Sequence, residues 1–69
     1  MTITYKPLSS SYKYIYEVYK DGNVISTNTV TNRKPVDIKL EDSGIYQIVI
    51  TSYDKWDHET KIESGMYKL

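Results

Sequence analysis

The sequence predicts a small all-β domain, an antiparallel sandwich of about six short strands. Apolar and polar residues alternate along several short segments, with the period of two that is typical of half-buried strands. The chain has eight Tyr but neither Phe nor Ala, and Tyr with β-branched residues favours pleated sheets over helices. Turn residues separate the alternating segments at short intervals.

The strand boundaries follow from this alternation and from the residues that interrupt it. Pro7 and the serines Ser9, Ser10 and Ser11 end the first strand, and Asp21-Gly22 predicts a tight hairpin turn. Residues 28–35 predict a polar loop, and residues 41–44 a turn. Ser64-Gly65 predicts a bulge or turn within the last strand. The predicted strands span residues 2–5, 12–19, 24–29, 36–40, 45–52 and 60–69.

The tyrosines of the second strand are predicted to be structural. Tyr12, Tyr14, Tyr16 and Val18 share one face of that strand, and a half-buried strand needs one such apolar face. We therefore expect Tyr14 and Tyr16 to cover the core of a chain without Phe. The alternative is that residues 12, 14 and 16 form a platform on which sugar rings or a partner's side chains stack.

Tyr46 is a candidate for a second structural role. It follows the turn at residues 41–44, at the start of a strong predicted strand. Sandwiches of the immunoglobulin and fibronectin type III kind often carry a Tyr at this place, and its hydroxyl bonds to the backbone a few residues upstream. This tyrosine corner makes the predicted fold an immunoglobulin/fibronectin III-like β-sandwich.

The order of four segments also resembles the triple-tyrosine family. Residues 12–16 (Tyr-Lys-Tyr-Ile-Tyr), the Asp21-Gly22 hairpin, residues 36–40 ending in Leu and residues 44–50 (Gly-Ile-Tyr-Gln-Ile-Val-Ile) follow the family's order over roughly residues 2–55. Ser43 stands where a Pro is common. The resemblance implies a fibronectin-like module that is not catalytic. It also implies a setting in bacterial surface proteins, cell-wall hydrolases or sensor histidine kinases.

Size and charge narrow the range of functions. The 69 residues form one domain, residues 1–69, which we expect to be a module of a larger multidomain protein. Nine basic and nine acidic residues cancel, so the usual attraction to nucleic acid is missing. No apolar run approaches the ~20 residues of a membrane span, and no secretion signal is recognised. With no Cys, the chain has neither a disulfide nor a thiolate site.

Residues 53–59 contain the candidate binding residues. Trp56 is the only Trp and lies among charged residues. Such a Trp more often folds back to cap the open end of a sandwich, but an exposed one binds sugars or partners. Trp56 and Tyr53 are therefore the candidate ligand contacts. The acidic residues near His58 match no calcium loop or zinc site, so no metal or cofactor is predicted. No catalytic residues are predicted either, because nothing orients His58 beside a nucleophile.

We therefore predict a non-enzymatic accessory, spacer or weak binding module of a bacterial extracellular or cell-wall-associated protein, for example beside a peptidoglycan hydrolase. Its partners would be the neighbouring domains of the parent chain and cell-wall polysaccharide, without nucleic acid or membrane insertion. One alternative is a signal-transmitting module next to the membrane segment of a sensor histidine kinase, which would act by dimer contact. Another is a dedicated carbohydrate-binding module.

Overall fold

A computed structural model describes residues 1–7, 12–31 and 33–69, and seven strands form within these ranges. The predicted break at Ser9, Ser10 and Ser11 lies outside the described residues. The strands are β1 (Thr2–Tyr5), β2 (Lys13–Lys20), β3 (Asn23–Val30), β4 (Val36–Lys39), β5 (Ile45–Tyr53), β6 (Glu59–Glu63) and β7 (Tyr67–Lys68).

The strands form two antiparallel sheets, as the alternation predicted. The larger sheet has five strands in the order β3-β2-β5-β6, with β7 also paired to β5. The smaller sheet pairs β1 with β4, which are far apart in sequence. β1 and β2 belong to different sheets, and so do β3 and β4. The chain therefore passes from one sheet to the other between these strands, and the two sheets pack as a sandwich.

The core lies between the two sheets. Even-numbered residues of β2 and β5 face it, and β1 and β4 contribute their own apolar faces. The buried cluster consists of Tyr14, Val18, Ile38, Leu40, Tyr46, Ile48 and Ile50. With no Phe in the chain, Tyr14 supplies the largest fully buried ring. The sequence therefore predicted the side of the second strand that faces the core.

Tyr14 combines complete burial with a satisfied hydroxyl. Its hydroxyl donates to the Lys34 carbonyl at 2.8 Å, and its ring meets the Tyr5 ring edge-on at a centroid distance of 5.1 Å. Burial raises the pKa of Tyr14 above its ordinary value of 10.0, and the nearby Tyr16 and Tyr5 raise it further. Tyr16 is half-buried and packs against the same cluster.

Tyr46 makes the upstream hydrogen bond that the sequence predicted. Its buried ring lies in the core, and its hydroxyl donates to the Asp42 carbonyl at 2.9 Å, four residues earlier. Gly44, between the two, has φ +153°, and a Cβ there would lie 2.8 Å from Lys20 Cε. The turn into β5 thus uses the Tyr46 hydroxyl and the positive φ of Gly44, which L side chains rarely adopt; the Lys20 contact is with the end of a flexible side chain that moves aside at little cost.

The hairpin between β2 and β3 has the predicted geometry. Asp21 and Gly22 have φ values of +50° and +84°, as a tight turn of mirror-image type requires. Asp21 also connects this turn to β5, because its backbone N–H donates to the Ile45 carbonyl at 2.8 Å and its carboxylate accepts from the Ile45 N–H at 3.1 Å.

Three local predictions differ from the structure. β3 extends to Val30, within the predicted loop 28–35, because Tyr14 in the long strand β2 gives Val30 a pairing partner. Tyr12, predicted to share the core face, is exposed because it precedes β2. The predicted last strand is divided into β6 and β7 around Ser64-Gly65, where Ser64 bonds to Ile48 through its N–H and its hydroxyl.

Candidate functional site

The loop that joins β5 to β6 is organised around the carboxylate of Asp54. One carboxylate oxygen accepts hydrogen bonds from the backbone N–H groups of Trp56, at 2.8 Å, and His58, at 2.9 Å. The other oxygen lies 3.0 Å from His58 Nδ1. An Asp side chain that accepts from the backbone two residues ahead forms an Asx turn, which fixes the direction of the chain.

Backbone hydrogen bonds close the same loop. The N–H of Asp57 donates to the Asp54 carbonyl at 3.1 Å, and the N–H of Asp54 donates to the His58 carbonyl at 3.2 Å. Asp57 takes a left-handed φ of +61°, which Asp tolerates better than most residues. Trp56 is therefore carried by a hydrogen-bonded turn whose backbone is already ordered.

Trp56 does not cap the open end of the sandwich, which is a correction to the more common expectation for such a residue. It is 67% exposed. The Asx turn fixes the backbone of this loop, and residues 55–57 are all exposed on it. The Lys55 ammonium lies 4.4 Å from the centroid of the indole, a cation–π contact that covers part of one ring face.

Tyr53, the other candidate ligand contact, is the last residue of β5 and is half-buried. It pairs across the strands with Lys13, whose ammonium lies 5.0 Å from the centre of the Tyr53 ring. The two candidates thus lie at the same hairpin, but each ring is paired with a different ammonium group. Trp56 is the more available of the two.

The loop's hydrogen bonds lower the pKa of Asp54 below its ordinary value of 3.8. The His58 N–H makes the largest contribution; desolvation opposes it, and the Trp56 N–H, the charge of His58 and the His58 ring lower the pKa further. Asp54 therefore keeps its negative charge in mildly acidic solution. The hydrogen bonds that hold the loop backbone are therefore strongest when the Asp54 carboxylate is ionised.

Sequence reasoning identified Trp56 but missed the residues that position it. It predicted no metal site in this loop but did not foresee that the Asp54 carboxylate accepts hydrogen bonds from the backbone N–H groups of Trp56 and His58. Among the described residues, no group of three or more His, Cys, Asp or Glu side chains is placed to hold a metal ion. The signal that was available is the Asp at the first loop position, which is typical of an Asx turn.

The described residues also line depressions elsewhere on the surface. One, of about 170 Å³, opens between β1 and β6 and is lined largely by apolar side chains, including Ile3, Ile48 and Ile62. Another, of about 480 Å³, lies beside the β2–β3 turn, and Asp21 is among the residues that line it. The carboxylate of Asp21 is occupied by the Ile45 N–H.

No protein-family model, curated protein or solved structure matches this chain. Within the part of the chain that the structure describes, no helix is long and apolar enough to cross a membrane.

Proposed function

We propose that this domain is a non-catalytic accessory module of a bacterial extracellular or cell-wall-associated protein, and that it binds wall polysaccharide weakly through Trp56. The single observation that carries the proposal is the 67% exposure of the only Trp, on a loop held in place by Asp54. Exposing an indole to water is unfavourable, and exposed aromatic residues mark contact sites more often than other residue types do.

Sugar rings are the ligand that this arrangement suits best. An indole offers a flat apolar face to the C–H groups of a pyranose, and its N–H remains available as a donor. The Lys55 ammonium beside the ring adds a cation. Asp54 and Asp57 of the same loop and Glu59 at the start of β6 outnumber it, so the ring face and not the charge carries the proposed contact. One aromatic residue with one cation supplies a small contact area, so the binding is weak. The resemblance to the triple-tyrosine family, a likeness in the order of sequence segments, points to the same setting.

The proposal is tested by co-sedimentation with purified peptidoglycan. We expect the domain to pellet with the polymer, and we expect Trp56→Ala to remain in the supernatant. Met66→Ala is the matched control, because Met66 is exposed to the same fraction, 67%, but lies on the β6–β7 connection. It should pellet like the original chain. The proposal is wrong if the original domain fails to pellet at protein concentrations of about 500 μM, where even weak sites are occupied.

A second measurement uses Trp56 as its own probe. Because it is the only Trp, its fluorescence reports on this loop alone. Soluble peptidoglycan fragments should change the emission intensity of the original chain in a saturable way. If the Lys55 ammonium contacts the ligand, the change should be smaller in Lys55→Ala. If the fragments leave the Trp56 emission unchanged while the domain still co-sediments with peptidoglycan, the binding surface does not include Trp56.

A further inference from the structure

The free edge of β3 differs from the other strand edges of the domain. β3 is the terminal strand of the larger sheet, is eight residues long and contains neither a charged residue nor Pro. Its sequence is Asn-Val-Ile-Ser-Thr-Asn-Thr-Val, rich in β-branched residues. In the described part of the chain, no other strand pairs with its outer backbone edge. Exposed edges of this length and composition are templates for pairing with another strand.

The opposite edge of the same sheet carries the usual protection. β6 has charged side chains at three of its five positions, Glu59, Lys61 and Glu63. The edge is then interrupted between β6 and β7. Charges and interruptions of this kind prevent edge-to-edge association. β3 has no charged residue; its one irregularity is a β-bulge at Ile25, where the register against β2 shifts, and residues 26–30 after the bulge pair regularly with β2.

The smaller sheet is protected in a different way. β1 and β4 are only four residues long, and β4 carries Asp37 and Lys39 on its outward face. Pro35 precedes β4 and has no N–H to offer. Short, charged edges offer few backbone hydrogen bonds to an incoming strand.

We propose that β3 pairs with β3 of a second copy of this chain, antiparallel and about a two-fold axis, so that the two five-stranded sheets become one. A free backbone edge recognises another strand, and the side chains decide which strand fits. Two copies of β3 meet without any pair of like charges, because the strand carries none. Since the pairing uses the uncharged edge of both copies, centred on the regular part of β3 at residues 26–30, and leaves the charged edges outside, the assembly closes as a dimer.

The side chains of β3 suit this self-pairing. Around an axis at Thr27, each Thr27 lies opposite its symmetry copy, and Ser26 lies opposite the second copy's Asn28. Thr–Thr and Ser–Asn pairs across antiparallel strands form favourable hydrogen bonds. Asn28 donates to Ser26 within one chain, at 2.8 Å, and in the dimer this bond is exchanged for one across the axis. Val24 and Ile25, both exposed, lie at the bulge, where the regular pairing of β3 ends.

Sedimentation equilibrium of the intact domain tests the proposal. An interface made by two strand edges is small, so we expect a dissociation constant on the order of 100 μM, with monomer at about 10 μM and dimer at about 1 mM. Thr27→Lys should weaken the dimer by at least tenfold, because it places two ammonium groups opposite each other at the axis. In the monomer the new Lys would lie across from Glu17, a favourable pair, so the fold should persist.

Thr60→Lys is the matched control, an identical substitution at an exposed position on the opposite edge strand β6; it should leave the dimer unchanged. Amide hydrogen exchange of the original chain is a second readout that needs no variant: N–H groups of β3 should gain protection with rising concentration, while those of β6 should not. A domain that stays monomeric at about 1 mM, or a Thr27→Lys variant that dimerises like the original chain, overturns the proposal. Trp56→Ala should dimerise normally, which separates this result from polysaccharide binding.

Discussion

The Tyr46 hydroxyl contributes to stability through one hydrogen bond to the Asp42 carbonyl, at 2.9 Å. Tyr46→Phe removes that bond but keeps the buried ring. We expect the free energy of unfolding to fall by about 1 kcal/mol, the usual net contribution of such a bond. Urea denaturation followed by circular dichroism measures this loss as a lower midpoint with an unchanged slope.

Tyr19→Phe is the control for this measurement, because it removes a hydroxyl from a half-buried Tyr of β2 for which no hydrogen-bond partner is found in the described part of the chain. It should leave the midpoint nearly unchanged. If Tyr46→Phe and Tyr19→Phe behave alike, the hydrogen bond to Asp42 does not stabilise the turn.

At the scale of single residues, the sequence predicted buried positions better than exposed ones. Alternation within a strand indicates which side chains face the core, so the core role of Tyr14 and Tyr46 was predictable. The exposure of Trp56 was not, because it depends on the Asp54 carboxylate accepting two N–H groups. Such a turn is one of several that a polar loop of this composition can adopt, and no periodicity indicates which.

At the scale of elements, the β5–β6 loop links its conformation to the charge on Asp54. Its pKa is lower in the folded loop than the ordinary 3.8, so the stabilisation is complete above that pH. It is lost as the pH falls through the lower, folded value. We expect an NMR titration of the Asp54 carboxyl carbon to give a midpoint below 3.8, and the Trp56 indole signal to shift with it.

Asp54→Asn provides the control for the titration. The amide keeps an oxygen that accepts from the Trp56 and His58 N–H groups, but it carries no titrating proton. The acid transition of the Trp56 signal should therefore disappear in this variant. A midpoint at or above 3.8 in the original chain would mean that the hydrogen bonds to Asp54 do not form in solution.

Strand pairing explains which element boundaries the sequence missed. The segment at residues 28–30 looks like loop because it is polar, yet it pairs with β2 in the structure. Residues 64–66 lack regular alternation, and there the backbone follows the hydrogen bonds of Ser64 to Ile48. In both places a neighbouring strand distant in sequence decides the structure.

At the scale of the whole molecule, the alternation predicted two packed sheets but did not indicate how the strands divide between them. The larger sheet has five strands and the smaller sheet has two. The buried apolar residues between them form one cluster. For a chain of 69 residues the total stability is expected to be about 3–10 kcal/mol. Loss of one large side chain from the contact between the sheets should therefore affect the whole domain.

Leu40 tests this dependence, since it is 1% exposed and follows β4 in the smaller sheet. Its backbone is also bonded to Met1, through an N–H donated to the Met1 carbonyl at 2.8 Å. Leu40→Ala should lower the free energy of unfolding by about 2–5 kcal/mol, through lost burial and the cavity left behind. That is a large share of the total stability expected for a chain of this length. Leu69→Ala removes the same atoms from a position that is 37% exposed, and it should cost less than about 1 kcal/mol. Thermal unfolding of both variants by circular dichroism makes the comparison; equal losses would mean that the contact between the sheets is not what holds the domain together.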